Sequence, residues 1–223
     1  MAGAESTLDK AYVSENCFRL IPSHYPPIQL FENLLDPQEL EAAYYLESLT
    51  NDRLRDEVGD ILLVSPEDRV TGHGTSAIMA AFTHSGIASR FSSGNYGVYY
   101  AGLTLDTAIA ESRHSRERFL SDTDEDALVL TMRCYVCQVD AELVDLRGNE
   151  TCHQEEWAYA QAQGQQIRDQ NELGILYRSV RHSGGENIAI LRPPALIPPA
   201  KQSKHFHYHW NGQEITHVSE ITR

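Results

Sequence analysis

Long apolar runs are missing from this sequence: no stretch approaches the roughly 18 residues that a membrane-spanning helix needs. The N-terminal MAGAESTLDK lacks the basic-then-apolar order of a signal peptide, so a cytoplasmic protein is expected. Cysteine is scarce, with four in 223 residues, which excludes a disulfide scaffold and suits thiols kept reduced. Positive charge is short as well. Eighteen Lys and Arg face 32 Asp and Glu, for a net charge of −14. Nucleic-acid surfaces work by neutralising phosphates with clustered cations, so direct nucleic-acid binding is not expected. Neither G-x-G-x-x-G after a strand nor G-x-x-x-x-G-K-[ST] occurs, which argues against Rossmann and P-loop nucleotide sites. Low-complexity tracts and linkers are absent too.

What is present is ample apolar material, 41% of residues, enough for a buried core in one domain spanning 1–223. Cys17 to Ile21 reads as a short strand entering a Pro-rich loop. Asp36 followed by Pro37 caps a helix with Leu40, Ala43 and Tyr44 on one face. DILLV, Asp60 to Val64, reads as a strand, and Thr75 or Ser76 caps the short helix SAIMAAF. From Ser89 the order is strand GVYYAG, then a helix from about Thr104 to Leu120 with Leu105, Ala108 and Ile109 inward. ALVLTMRCYV alternates cleanly, with Leu128, Leu130, Met132, Cys134 and Val136 on one face. A helix near Glu155 to Gln163, strands GILYRSV and NIAIL, and the pair HFHYHW and QEITHVSEI complete the chain. Asn211-Gly212 between the last two predicts a type I′ hairpin. Strands with helices between them, without regular βαβ alternation, predict an α+β fold.

Ser89 to Ser112 carries the clearest chemistry. Arg90 precedes a Gly-rich turn, Tyr100 ends a strand, and Glu111 sits in the second turn of the following helix. Strand and helix can fold back so that a guanidinium, a phenol and a carboxylate surround one cleft, a set suited to a ligand with a diphosphate, an aromatic ring and a ribose. Singly, each residue has a plainer role: a salt-bridging Arg90, a half-core Tyr100, and a solvated Glu111 paired with Arg113, Arg116 or Arg118. A second run, Tyr177 to Leu191, places Ser179 between Arg178 and Arg181 ahead of a Gly184-Gly185 turn. Without a G-x-S-x-G elbow, Ser179 is not a hydrolase nucleophile, and ligand hydrogen bonding is the role that remains. His182 beside it is a further candidate. Cys134-x-x-Cys137 has metal-pair spacing, but residues three apart on a strand face opposite ways. His205, His207 and His209 share a strand face without an evident fourth ligand, so no metal site is expected.

Together these motifs resemble the RES-domain family. The resemblance rests on Arg19 in an N-terminal strand, Arg90 in an R-F/W-S/N turn, the run Tyr100-x(7)-Ala108-x-x-Glu111, and Ser179 followed by Asn187 in S-V-R-H-x-G-G-E-N. Ser89-Arg90-Phe91-Ser92 stands where G-R-W-N is common, and Pro26 to Ser85 lengthens the spacing from Arg19 to Arg90, giving an N-terminal elaboration at about 26–85. The resemblance implies a fold like the ADP-ribosyltransferases and a toxin that consumes NAD⁺ as substrate, by phosphorolysis or hydrolysis, with no cofactor and with inorganic phosphate as a candidate co-substrate. It assigns catalysis to Arg90, Tyr100, Glu111 and Ser179, and substrate binding to Arg19, Asn187 and His182. It further implies a two-gene pairing with an Xre-type antitoxin and admits a homodimer within that complex. ADP-ribosyl transfer to an acceptor, and a silent binding module, are the competing readings.

Overall fold

The computed structural model describes residues 8–23 and 59–222. The helix expected from Asp36, and the part of the elaboration from 26 to 58, lie outside the described residues. Among the described residues there are seven strands and three α-helices: β1 (Lys10–Pro22), α1 (Ser76–Thr83), β2 (Tyr99–Gly102), α2 (Leu105–Ser121), β3 (Leu128–Asp145), α3 (Ala158–Asp169), β4 (Gly174–Arg178), β5 (Glu186–Ile190), β6 (Leu196–Trp210) and β7 (Ile215–Glu220). The fold is α+β, as expected. None of the described helices is long and apolar enough to cross a membrane.

The sheet runs in the order β1-β2-β5-β4-β3-β6-β7, and β1 also pairs with β3. These pairings close β1, β2, β5, β4 and β3 into a ring, from which β6 and β7 extend as a hairpin. All pairings are antiparallel except β3 with β4, which is parallel at Val144↔Ile175 and Asp145↔Leu176. Three apolar clusters follow. One fills the ring beneath α1, with Cys17, Ile78, Met79, Phe82, Tyr99, Cys137 and Ile188. The second lies between α3 and the β2-β5-β4 face, with Phe91, Ala160, Ile167, Ile175, Tyr177 and Ala189. The third packs α2 on β3, β6 and β7, with Ala108, Met132, Cys134, Phe206 and Tyr208.

The alternation read in ALVLTMRCYV holds: Met132 and Cys134 are buried against α2, with Leu128, Leu130 and Val136 packed beside them. Cys134 and Cys137 enter different cores, as their spacing on a strand required. Residues 59–85 are built into the main core through Ile61, Val64 and α1.

Several local expectations are corrected. Ile61–Leu63 forms a 3-10 turn, not a strand, because Asp60 caps it by accepting a hydrogen bond from Leu62 N at 2.9 Å. Cys17 to Ile21 is only the end of a 13-residue strand, since polar positions such as Glu15 and Asn16 pair along β3. The helix expected at 155–163 begins later, at Ala158, and runs to Asp169 with Ala160, Gly164 and Ile167 as its buried stripe. The β6-β7 turn is not type I′. Among residues 211–214 only Gly212 has positive φ, while Asn211 Oδ1 accepts from Gln213 N and Glu214 N. An Asx turn therefore takes the place of the left-handed asparagine.

Candidate active site

Register brings the motif residues to one sheet face. Gly102 and Tyr177 both lie opposite Asn187, and Tyr100 lies opposite Ala189, so Tyr100, Asn187 and Tyr177 project the same way. Ser179 follows directly on the end of β4, two residues beyond Tyr177. Helix α2 crosses it closely: a Cβ on Gly102 would stand 2.6 Å from Ala108 N, so only glycine permits the approach. Thr104 caps the helix by accepting from Thr107 N at 3.2 Å. Thr107 and Glu111, one turn apart, then share the face turned toward the sheet.

Three of the expected residues meet directly. Glu111 Oε1 accepts a hydrogen bond from Ser179 Oγ at 2.6 Å and another from Asn187 Nδ2 at 2.9 Å. Asn187 is only 2% exposed, so its amide has been desolvated to serve this contact. Ser179 Oγ in turn accepts from Arg181 N at 3.1 Å and His182 N at 2.9 Å. Its single proton is thus aimed at Glu111, and the 179–185 turn locks its direction. Both donors use the same carboxylate oxygen, while Oε2 has no partner among the described residues. His182 Nδ1 is bonded to Thr107 Oγ1 at 2.8 Å, which pins the turn to the start of α2.

Arg90 and Tyr100 form the other half. The Tyr100 hydroxyl accepts from Phe91 N at 3.0 Å and shares a proton with Ser89 Oγ at 2.9 Å. It therefore clamps the residues on either side of Arg90. Burial raises the Tyr100 phenol above its ordinary range, against the opposing pull of Ser89, Phe91 N–H and the arginines, so it remains a neutral hydroxyl. Gln161 of α3 donates to the carbonyls of Ser89 and Ser92 at 3.0 and 3.3 Å. The Ser92 hydroxyl is spent inside the turn, donating to Tyr96 O and accepting from Gly94 N. Arg90 Nη1 donates to Cys152 O and Gln154 O, both at 2.9 Å. Among the described residues no carboxylate pairs with it.

Arg19 stands apart. It lies 4.8 Å from the Tyr99 ring centroid, on the face of β2 that Tyr100 turns away from, and reaches the site only by donating to the Tyr100 carbonyl at 3.2 Å. Burial lowers its affinity for a proton, with nearby Tyr99 and Cys17 opposing, although a guanidinium stays charged at any working pH. It too lacks a carboxylate partner among the described residues. The neighbouring arginines differ, since Arg178 pairs with Glu150 and Arg181 with Glu155.

Tyr177 links the halves and escaped sequence reading, where it marked only the start of a motif. Its ring meets Phe91 edge-on at 5.0 Å. Burial pushes its phenol well up, with Glu111 and Tyr100 adding to the shift and Arg90 opposing it. The signal for it was its two-residue spacing to Ser179. Ser89, Gln161 and the Cys152 and Gln154 carbonyls were not legible at all, because backbone acceptors and turn hydroxyls leave no residue-type signal. Among the described residues no His, Cys, Asp and Glu group could hold a metal ion. Chemically, the arrangement offers one fixed carboxylate beside neutral hydroxyls, with an oxygen that has no partner among the described residues, and a guanidinium held by carbonyls alone among those residues.

Comparison with known proteins gives three findings. The family model described as the RES domain matches residues 66–211, a stretch that holds Arg90, Tyr100, Glu111, Ser179, His182 and Asn187 but not Arg19. An uncharacterised protein, y4oC, of Sinorhizobium fredii (strain NBRC 101917 / NGR234) is 28% identical over 214 residues, covering 94% of this chain and 89% of that protein. The crystal structure of the M. tuberculosis MbcT–MbcA toxin–antitoxin complex overlaps 96% of this chain and 87% of the matched chain, at a TM-score of 0.45 and 12% identity.

Proposed function

Since this chain belongs to the RES domain family, we propose that it is a toxin that breaks the nicotinamide–ribose bond of NAD⁺, with Glu111 as the electrostatic catalyst. One observation carries the reading: Ser179 and Asn187 hold a single oxygen of Glu111 and leave the other uncommitted. Departure of neutral nicotinamide leaves an oxocarbenium-like centre at the ribose. A carboxylate already fixed in direction stabilises that charge without reorganising when it develops. Ser179 and Asn187 act as positioning residues, because their protons go to Glu111. Arg90, whose turn is clamped by Tyr100 and which has no carboxylate partner among the described residues, suits a diphosphate, which a planar guanidinium binds through paired N–H groups. Arg19, also without a carboxylate partner among the described residues, would serve the same anion by supporting the Tyr100 backbone. His182, whose Nε2 has no partner among the described residues, completes the rim.

Either phosphate or water fits as the acceptor, and an ADP-ribosyl acceptor on a macromolecule would use the same residues. The resemblance to RES toxins also carries the proposal of an antitoxin partner, of Xre type, that covers the site. Incubation with NAD⁺ in the presence and absence of phosphate tests the reading. ADP-ribose-1″-phosphate identifies phosphorolysis, free ADP-ribose identifies hydrolysis, and a modified protein identifies transfer. Unchanged NAD⁺ in both conditions would refute the reading. In a bacterial host, expression without a partner should lower cellular NAD⁺ and arrest growth.

A further inference from the structure

The segment between β3 and α3 is gripped by four arginines from other parts of the chain. Arg90, in the turn before β2, holds the carbonyls of Cys152 and Gln154. Arg178, at the end of β4, pairs with Glu150, and Arg181, in the turn before β5, holds Glu155 at 2.8 Å. Arg118 of α2 lies 4.6 Å from the Trp157 ring centroid. The backbone N–H of Arg178 also donates to His153 Nε2 at 3.1 Å. Two groups, Arg181 Nε and Trp157 Nε1 of the strap itself, are buried without a hydrogen-bond partner among the described residues. A native fold seldom leaves such donors unpaired; one belongs to the arginine that holds Glu155 and the other to the strap.

Resting on the NAD⁺ reading above, we propose that Glu155 is a built-in anion that holds the place of the substrate's diphosphate beside Arg90 and Arg181, on a strap that the substrate displaces. Arg181 thereby becomes a substrate-binding residue. Its position supports this: it lies two residues beyond Ser179, whose hydroxyl bonds both Glu111 and the Arg181 N–H. Glu155 follows directly on Gln154, whose carbonyl is already on Arg90. Its carboxyl is lowered mainly by the Arg181 hydrogen bond, with His114 and Arg90 adding smaller pulls. The Glu155 side chain is 73% exposed, and its partner Arg181 only 23%. An ion pair with one partner this exposed is weak and easily exchanged, whereas a diphosphate offers more charge and paired acceptors to the same guanidinium groups. The displaced strap would free Arg90 Nη1 and give the buried Arg181 Nε an acceptor.

The test measures binding of ADP, an unreactive diphosphate, to the full chain and to its Glu155→Gln variant, with Trp157 fluorescence as the readout. The second tryptophan, Trp210, is buried in the α2 core and should stay silent. The account expects ADP to change Trp157 emission and Glu155→Gln to tighten ADP binding by about threefold to fivefold, the scale of a weak surface pair. Unchanged or weaker ADP binding in the variant would overturn the proposal, since Glu155 would then be orienting Arg181 rather than competing for it. Absence of ADP binding in both forms would overturn it as well. NAD⁺ cleavage, assayed in parallel, separates the two readings. Tighter ADP binding without NAD⁺ cleavage keeps the strap and removes the NAD⁺ reading. Cleavage with unaltered ADP binding does the reverse.

Discussion

The two halves of the site are built from different materials. The Glu111 half stands on secondary structure: a helix about two turns past its cap, a buried asparagine on β5, and a serine whose hydroxyl is fixed by two backbone N–H groups. The Arg90 half stands on loops, held by the Tyr100 hydroxyl, a glutamine side chain and two carbonyls of the strap. The first half suits chemistry, because a transition-state charge rewards groups that do not move. The second suits substrate entry, because loop contacts are cheaper to exchange. Damage to the first should appear in turnover, and damage to the second in binding.

Glu111→Gln should show the contrast most strongly. It keeps size but removes the charge, so kcat should fall about a hundredfold or more with KM little altered. Arg90→Lys keeps the charge but loses the planar fork, and should raise KM together with its loss of turnover. Steady-state kinetics on both variants decide the matter, and a Glu111→Gln enzyme of near wild-type kcat would return Glu111 to the role of a helix-surface residue. Next in size is Gly164→Ala. Alanine is ordinarily the better helix former, but here its Cβ would stand 2.1 Å from Phe91 O, a backbone atom that cannot swing aside. Overpacking of this kind costs about 1–3 kcal/mol, outweighing the propensity gain of roughly 1 kcal/mol. Denaturant unfolding should show the loss, and substrate binding should weaken because the Arg90 turn is pushed.

Ser179→Ala removes one of two donors to Glu111 Oε1. A hydrogen bond to a charged group supports an effect of about tenfold on kcat, smaller than that of Glu111→Gln because Asn187 still holds the carboxylate. The smallest expected effect is on pH dependence in the strap. His153 Nδ1 bonds Asn149 O and its Nε2 accepts from Arg178 N, so the ring is held neutral. Burial lowers its proton affinity below the ordinary value of 6.5, with Arg178 and Arg90 lowering it further and the Asn149 carbonyl and Glu150 opposing. The sign follows: an unfolded strap binds the proton more readily, so the contribution of His153 is complete above about pH 6.5 and fades as pH falls toward its lowered value. Hydrogen exchange at residues 150–157 should therefore show extra opening below pH 6.5 in the wild type, and less change in His153→Gln.

Legibility in the sequence divided along the same line. Helix α2, the β3 alternation and the α+β class were readable because periodicity and capping are local. The motif order led to Glu111, Ser179 and Asn187, and register then explained why they meet. It could not show that Ser179 and Asn187 face Glu111, since that depends on β4-β5 pairing and the 179–185 turn. The Arg90 half was less readable. The Tyr100 hydroxyl bonds Ser89 and Phe91 N, contacts that depend on how the turn folds, and the acceptors for Arg90 are carbonyls whose positions no residue type announces. Arg19, read from the resemblance as a substrate-binding residue, lies on the far face of β2 because it shares the alternation of Cys17 and not that of Phe18.

Release of free nicotinamide from NAD⁺ by the purified wild-type chain, measured beside a folded Glu111→Gln variant at saturating substrate, tests the central claim most directly. The account predicts steady release from the wild type and release at least about a hundredfold slower from the variant, which should still bind ADP. Intact NAD⁺ with the wild-type chain, or equal release from both, would contradict it.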